Sequence, residues 1–313
     1  MSVLLQCLSH SPLKGFVDPE PAVVAEVQAA VQQARARVEA FDPELVIIFA
    51  PDHFNGFFYD NMPSFAIGTE AYAIGDFGTA QGRLSVDVEA AEAMAHAVIA
   101  ADIDIAVSYR MQVDHGFSQP LEELLGGLDT RPVVPIFVNA VAEPLPTNRR
   151  ALALGKAVGE FTKSTGKRAL LIGSGGLSHE PPVPTLDVSD KLVLDRLKGG
   201  GRHLPADERA ARTQRVIDAG KRFAEDPNSL HPLAPEWDRQ FMDLIADFDE
   251  LALATMDNAS IAREGGKSAH EVKTWVAAAA AAQAFGGYRE TARYYRAIHE
   301  WVAGFGMLTA SGY

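Results

Sequence analysis

Four of the nine histidines, His10, His53, His115 and His179, carry most of the chemistry this sequence offers. Each comes a few residues after a short apolar run that reads as a strand. Each also sits in a turn of small and polar residues: Ser9-His10-Ser11-Pro12, Asp52-His53-Phe54-Asn55-Gly56, Asp114-His115-Gly116 and Ser178-His179-Glu180. In an open α/β sheet the loops beyond the carboxyl ends of the strands share one crevice, so imidazoles delivered by different strands can meet there. A lone histidine at a strand end is as a rule a hydrogen-bonded structural residue; four together point to a site. Two imidazoles and a carboxylate make the facial set that holds non-haem Fe(II) and leaves positions open for substrate and oxygen. Asp52, Asp114, Glu180 and Glu271 are the carboxylates in reach, and spacing does not choose among them. Asp52 and Asp114, each directly before a histidine, are also candidates to orient a ligating ring.

The runs that must position these residues are Val3–Leu8, Leu45–Phe49, Ile103–Tyr109, Pro132–Val138 and Arg168–Ile172, nearly continuous in Val, Ile and Leu as buried parallel strands are. Between them lie helical patterns over Pro21–Phe41, Val86–Ala101 and Arg150–Lys167. The alternation predicts an α/β fold with a largely parallel central sheet flanked by helices. After residue 185 the texture turns to charged helical segments, Lys191–Leu197, Ala206–Ala224, Pro235–Asp247 and a long helix from about Ala269 to Phe285. This half lacks strong apolar runs, and no Pro/Gly/Ser-rich linker precedes it. The expectation is one domain over residues 1–313, a sheet core in 1–185 and a mainly helical C-terminal elaboration in 186–313 packed on it. The run Gly173-Ser174-Gly175-Gly176 lacks both the dinucleotide glycine spacing and the lysine of an ATP loop, and reads as a tight turn presenting His179. Trp237, Trp275 and Trp301 read as packing or a subunit interface.

Composition narrows the function classes. Forty-one acidic against 28 basic residues leave a net charge of -13, which repels phosphate backbones and anionic leaflets, so neither nucleic acid nor membrane is an expected partner. The single cysteine, Cys7, forms no internal disulfide and supplies no thiolate cluster. Met1–Cys7 has no basic leader and too short an apolar stretch for a signal core, which makes the cytoplasm the expected location.

The phrases CLSHSP, FAPDHFNGFFYD, GDFG, MQVDHGFSQPLE, GSGGLSHEPPVP, HEVKTWVAA and YYRAIHEWVAGFG, spread over nearly the whole chain, resemble the class III extradiol ring-cleavage dioxygenases, relatives of the catalytic subunit of protocatechuate 4,5-dioxygenase. The resemblance implies Fe(II) as cofactor, held by His10, His53 and Glu271. It further implies His115 as proton donor, His179 as proton acceptor, and a homo-oligomer. The implied partners are O2 and a small catechol bearing a carboxylate side chain, 2,3-dihydroxyphenylpropionate or 2,3-dihydroxycinnamate, cleaved beside its hydroxyl pair.

An acid side chain needs a local cation or donor in so acidic a protein, for which Arg110, Lys273 and Arg296 are candidates. Phe54, Phe57, Phe58 and Tyr59 either wall the ring pocket or belong to the core. The competing enzyme class is a zinc hydrolase on the same ligands, with His179 or Glu180 as base. A related catechol dioxygenase with another substrate, or a binding module that lost the chemistry, completes the alternatives.

Overall fold

The computed structural model describes residues 2–313. Its first half runs β1 (Val3–Leu8), α1 (Pro21–Phe41), β2 (Leu45–Ala50), β3 (Phe65–Gly68), β4 (Ala71–Ile74), β5 (Gln81–Arg83), α2 (Val88–Ala100), β6 (Ala106–Ser108), β7 (Met111–Val113), α3 (His115–Leu125), β8 (Val133–Val138), α4 (Asn148–Ser164) and β9 (Ala169–Ser174). The second half follows as α5 (Lys191–Leu197), α6 (Ala206–Glu225), α7 (Pro235–Asp247), α8 (Glu250–Thr255), α9 (Asn258–Gly265), α10 (Val272–Phe285), β10 (Tyr288–Ile298) and β11 (Ala303–Gly312).

The eight-stranded sheet has the order β10-β11-β1-β9-β2-β8-β3-β6. Its centre, β1, β9, β2 and β8, is parallel. All four of those strands are buried along their whole length, which is why they are apolar on both faces and legible as continuous runs. Their carboxyl ends point to one side, where the loops carrying His10, His53 and His179 begin. The mostly parallel α/β architecture expected from the sequence is therefore the one observed.

Two features depart from it. The C-terminal part carries the expected helices, but it ends in β10 and β11, a long antiparallel hairpin whose β11 pairs with β1 and which the sequence reading did not expect. β10 lies at the sheet edge, and its burial alternates with side-chain polarity, Arg289, Glu290, Arg293 and Arg296 among its residues, so it has no apolar run to find. β11 is buried but broken by Gly304 and Gly306. A Cβ on Gly304 would lie 2.0 Å from Asp238 Oδ2, so this strand must be glycine where it passes the site. The second departure is Ile103–Tyr109. Only Ala106–Ser108 is strand, at the far edge, and His115 follows β7 of a separate three-stranded sheet, β5-β4-β7.

The long C-terminal helix starts at Val272, after a 3-10 turn over Lys267–Glu271. It is buried all round, Ala277–Ala282 included, and lies against α4 at two glycines. A Cβ on Gly155 would meet Ala277 O at 2.2 Å, and one on Gly159 would meet Ala281 O at the same distance. This close seat fixes where α10 begins, and so where Glu271 stands relative to β9. Among the described residues no helix is long and apolar enough to cross a membrane.

Candidate metal centre and active site

The loops after β1, β2, β7 and β9 and the turn before α10 bring His10, His53, His115, His179 and Glu271 to the wall of one cavity of about 600 Å³. Glu271 is the hub. Its Oε1 lies 3.0 Å from His53 Nε2 and 3.3 Å from His179 Nε2, and its Oε2 lies 3.6 Å from His10 Nε2. The backbone N–H of Gly176 donates to Oε2 at 2.8 Å. Of the carboxylates that spacing left open, Glu271 alone contacts three of the imidazoles. Glu180 accepts the backbone N–H of Lys267 at 2.8 Å instead and is not part of the cavity wall.

The rings also touch one another. His53 and His115 stack at 4.5 Å between centroids, and His10 meets both edge-on, at 5.5 and 5.3 Å. One nitrogen from each of His10, His53 and His115 lies within 4.8 Å of the other two.

Each ring is held at Nδ1 from behind. The Ser174 hydroxyl donates to Gly116 O at 2.6 Å, so toward His10 Nδ1, 3.0 Å away, it acts as acceptor and leaves Nε2 of the neutral ring with its lone pair. His53 Nδ1 lies 3.0 Å from Asp114 Oδ2, and His179 Nδ1 donates to Leu177 O at 3.0 Å. His115 Nδ1 lies 2.6 Å from Asp76 Oδ2. Asp114 therefore orients His53 rather than its neighbour His115, which Asp76 orients. Asp52 orients no ring; it accepts the backbone N–H groups of Asn55, Gly56 and Phe57 and builds the turn that carries His53.

Electrostatics follow this arrangement. Burial, with His115 and His53 nearby, outweighs the pull of Glu271 and holds His10 down to about 3. For His53, burial is overcome by Asp114 and Glu271, which keep it well above the ordinary imidazole range. Burial also opposes charge on His179, yet Glu271 raises it. Burial likewise works against ionised Glu271, but His179 and His10 outweigh it and keep the carboxyl well below its usual range. Burial and the Asp114 charge push Asp52 up to about 7, while Asp114 itself, despite its burial, is drawn down by His53 and His115.

This donor set fits a divalent cation. Imidazole Nε2 lone pairs and a carboxylate facing one another at such distances repel unless protons or a cation lie between them, and the Nδ1 partners are those of ligating histidines.

The glycine turn before His179 earns its composition through close approach. A Cβ on Gly175 would lie 2.8 Å from Glu271 Cβ, and one on Gly176 would lie 2.6 Å from His179 Cε1. Behind the same loop, Ser178 donates from N and Oγ to Asp238 at 2.8 and 2.7 Å, and Tyr295 Oη donates to Asp238 Oδ2 at 2.7 Å.

Asp76, Ser174 and Asp238 escape sequence reasoning. Asp76 lies in the GDFG phrase, whose resemblance was the one signal available; Ser174 and Asp238 sit in a glycine turn and a charged helix with no mark of their role. Of the aromatics after His53, Phe54 and Phe58 line the cavity, whereas Phe57 stacks on Phe137 at 3.9 Å in the core. The three expected acid-binding cations lie elsewhere. Lys273 is buried against His270, Arg296 pairs with Glu26, and Arg110 stands outside the cavity wall. Trp275 is core, as expected, whereas the buried Trp301 also reaches the cavity.

Comparison with known proteins agrees with this geometry. A family model described as the catalytic LigB subunit of aromatic ring-opening dioxygenase matches residues 4–306. The chain is 60% identical over 310 residues to a Pseudomonas putida protein named 2,3-dihydroxyphenylpropionate/2,3-dihydroxicinnamic acid 1,2-dioxygenase 1, covering 99% of each chain. It is 58% identical to a Klebsiella pneumoniae protein and 57% identical to an Escherichia coli protein of the same name without the final numeral, again over 99% of each chain.

Proposed function

We propose, from the premise that this chain belongs to the LigB family of aromatic ring-opening dioxygenases and is an oxidoreductase of that kind, that it cleaves a catechol with a carboxylate side chain beside its hydroxyl pair. The proposed substrates are those in the names of its relatives, 2,3-dihydroxyphenylpropionate and 2,3-dihydroxycinnamate. The proposed cofactor is Fe(II) on His10, His53 and Glu271, in a homo-oligomer working in the cytoplasm. The observation that carries the reading is the contact of one buried carboxylate, Glu271, with imidazoles from three separate loops in a cavity large enough for a substituted catechol.

When bound, the iron supplies a path for electrons from the ring to O2. The protein's part is binding, orientation and proton transfer. His179 Nε2, whose lone pair is freed by the Nδ1 bond to Leu177 O, takes a phenolic proton, and the Glu271 carboxylate 3.3 Å away stabilises the charge the ring gains. His115, fixed at Nδ1 by Asp76 and stacked on His53, has Nε2 left for proton exchange and serves as the proton donor in the cavity. Phe54 and Phe58 flank the ring and keep water from its face.

Ferrous-loaded protein should consume O2 with 2,3-dihydroxyphenylpropionate and form a yellow ring-opened product. Absence of uptake at full iron occupancy defeats the reading, and zinc-supported ester or amide hydrolysis without oxygen would replace it.

A further inference from the structure

We propose that α6 carries a carboxylate-binding subsite in the same cavity, with the Arg209 guanidinium as the anchor for the acid group of the substrate side chain. This rests on the ring-cleavage reading above. Four arginines line the cavity, Arg196, Arg209, Arg212 and Arg215, and three of them are otherwise placed. Arg196 is paired with Glu208. Arg212 donates to the carbonyl oxygens of His53 and Phe54 and to Asn55 Oδ1, so it pins the His53 turn to α6. Arg215 also has no partner among the described residues, but it is exposed and shared with a neighbouring surface groove, so water already solvates its charge.

Arg209 differs from all three. It is half-buried in the cavity wall, one helical turn before Arg212, and its guanidinium has no hydrogen-bond or ion-pair partner among the described residues. The acidic residues that line the cavity are engaged with other groups: Asp190 accepts the backbone N–H groups of Leu192 and Val193, Glu208 faces Arg196, Asp76 holds His115 and Glu271 faces the imidazoles.

A guanidinium partly withdrawn from water and left unpaired is costly, and its planar fork matches a carboxylate at two points. In a chain of net charge -13, an unneutralised cation facing a cavity is the complement an acidic ligand requires. Phe58, Leu197 and Val216 line the same cavity and suit the methylene or vinyl segment between ring and acid.

The test compares the full-length protein with Arg209→Gln and Arg209→Lys. Calorimetry follows 3-phenylpropionate, which has the acid tail without the catechol, against 3-phenylpropionamide. Turnover of the iron-loaded protein gives the ratio of kcat/KM for 2,3-dihydroxyphenylpropionate to that for the uncharged 3-propylcatechol. Arg209→Gln should weaken phenylpropionate binding about 10- to 100-fold and lower the turnover ratio by a similar factor, chiefly through KM. Arg209→Lys should recover part of both. Unchanged phenylpropionate affinity, or an equal loss for acid and amide, overturns the subsite. If the parent protein cleaved neither catechol, the functional reading would fail while phenylpropionate binding still decided the subsite.

Discussion

Asp76 Oδ2 lies 2.6 Å from His115 Nδ1, both side chains are buried, and the second oxygen of Asp76 has no hydrogen-bond partner. A carboxylate only accepts, so the contact fixes the hydrogen on Nδ1 and leaves Nε2 as the ring atom free for proton exchange. Asp76→Asn keeps the shape and removes the charge. We expect it to lower kcat by about 100-fold or more, as the loss of an orienting carboxylate does elsewhere, while iron content stays at the parent level. Steady-state turnover beside metal analysis reads both. Parent-like kcat would mean that His115 needs no orientation from Asp76.

The division of the five central residues into ligands and proton carriers is open to a direct test. We expect His10→Ala, His53→Ala and Glu271→Ala to lose iron, and His115→Ala and His179→Ala to retain it while kcat falls about 100- to 10,000-fold. The outcome is not built into the distances, because a nitrogen of His115 lies as near to His10 and His53 as a ligand would. Iron lost from His115→Ala alone would move that residue into the metal set.

What made His10, His53 and His179 legible was that each follows a strand buried on both faces, so its apolar run stood out and the direction of its loop followed. His115 was found for a partly wrong reason. The strand that delivers it is three residues of a small second sheet, too short to show a pattern. The carboxylate was not legible by spacing, since Glu271 reaches the centre through the seating of α10 on α4, a relation between distant segments. Arg209 and Arg212 were hidden in a helix with many charges, most of them exposed, so that no pattern set these two apart. The β10–β11 hairpin was missed because an edge strand rich in Arg and Glu and a buried strand broken by glycines both lack continuous apolar residues.

The α4–α10 seat gives two principles opposite signs. By helix propensity alone Gly155→Ala should stabilise α4 by about 1 kcal/mol. The added Cβ would instead stand 2.2 Å from Ala277 O and 2.7 Å from Ala280 Cβ, which forces the helices apart. Packing should win, with a net loss of about 2 kcal/mol and a fall of several degrees in Tm. Thermal unfolding of the variant decides, and a raised Tm would show that α10 shifts without cost.

Lys273 sets a pH signature in stability. Its Nζ donates to His270 Nδ1 at 2.8 Å, and both groups are buried. Burial pulls the lysine down to about 7 and, with the lysine charge beside it, the histidine to about 3. In the unfolded chain a lysine keeps its proton to about pH 10.4, so between pH 7 and 10 the unfolded state binds more protons and stability rises with pH. The contribution is complete above the unfolded value and is lost as pH falls toward 7, with a slope of up to about 1.4 kcal/mol per pH unit. Cys7, Tyr288 and Tyr295 have raised values and act with the opposite sign at the alkaline end, so the clean comparison is between the protein and Lys273→Met from pH 7 to 8.5. Urea unfolding should show the parent gaining on the methionine variant across that range. A constant difference would mean that Lys273 stays charged inside the fold, held by Glu143 and its surroundings more strongly than burial opposes it.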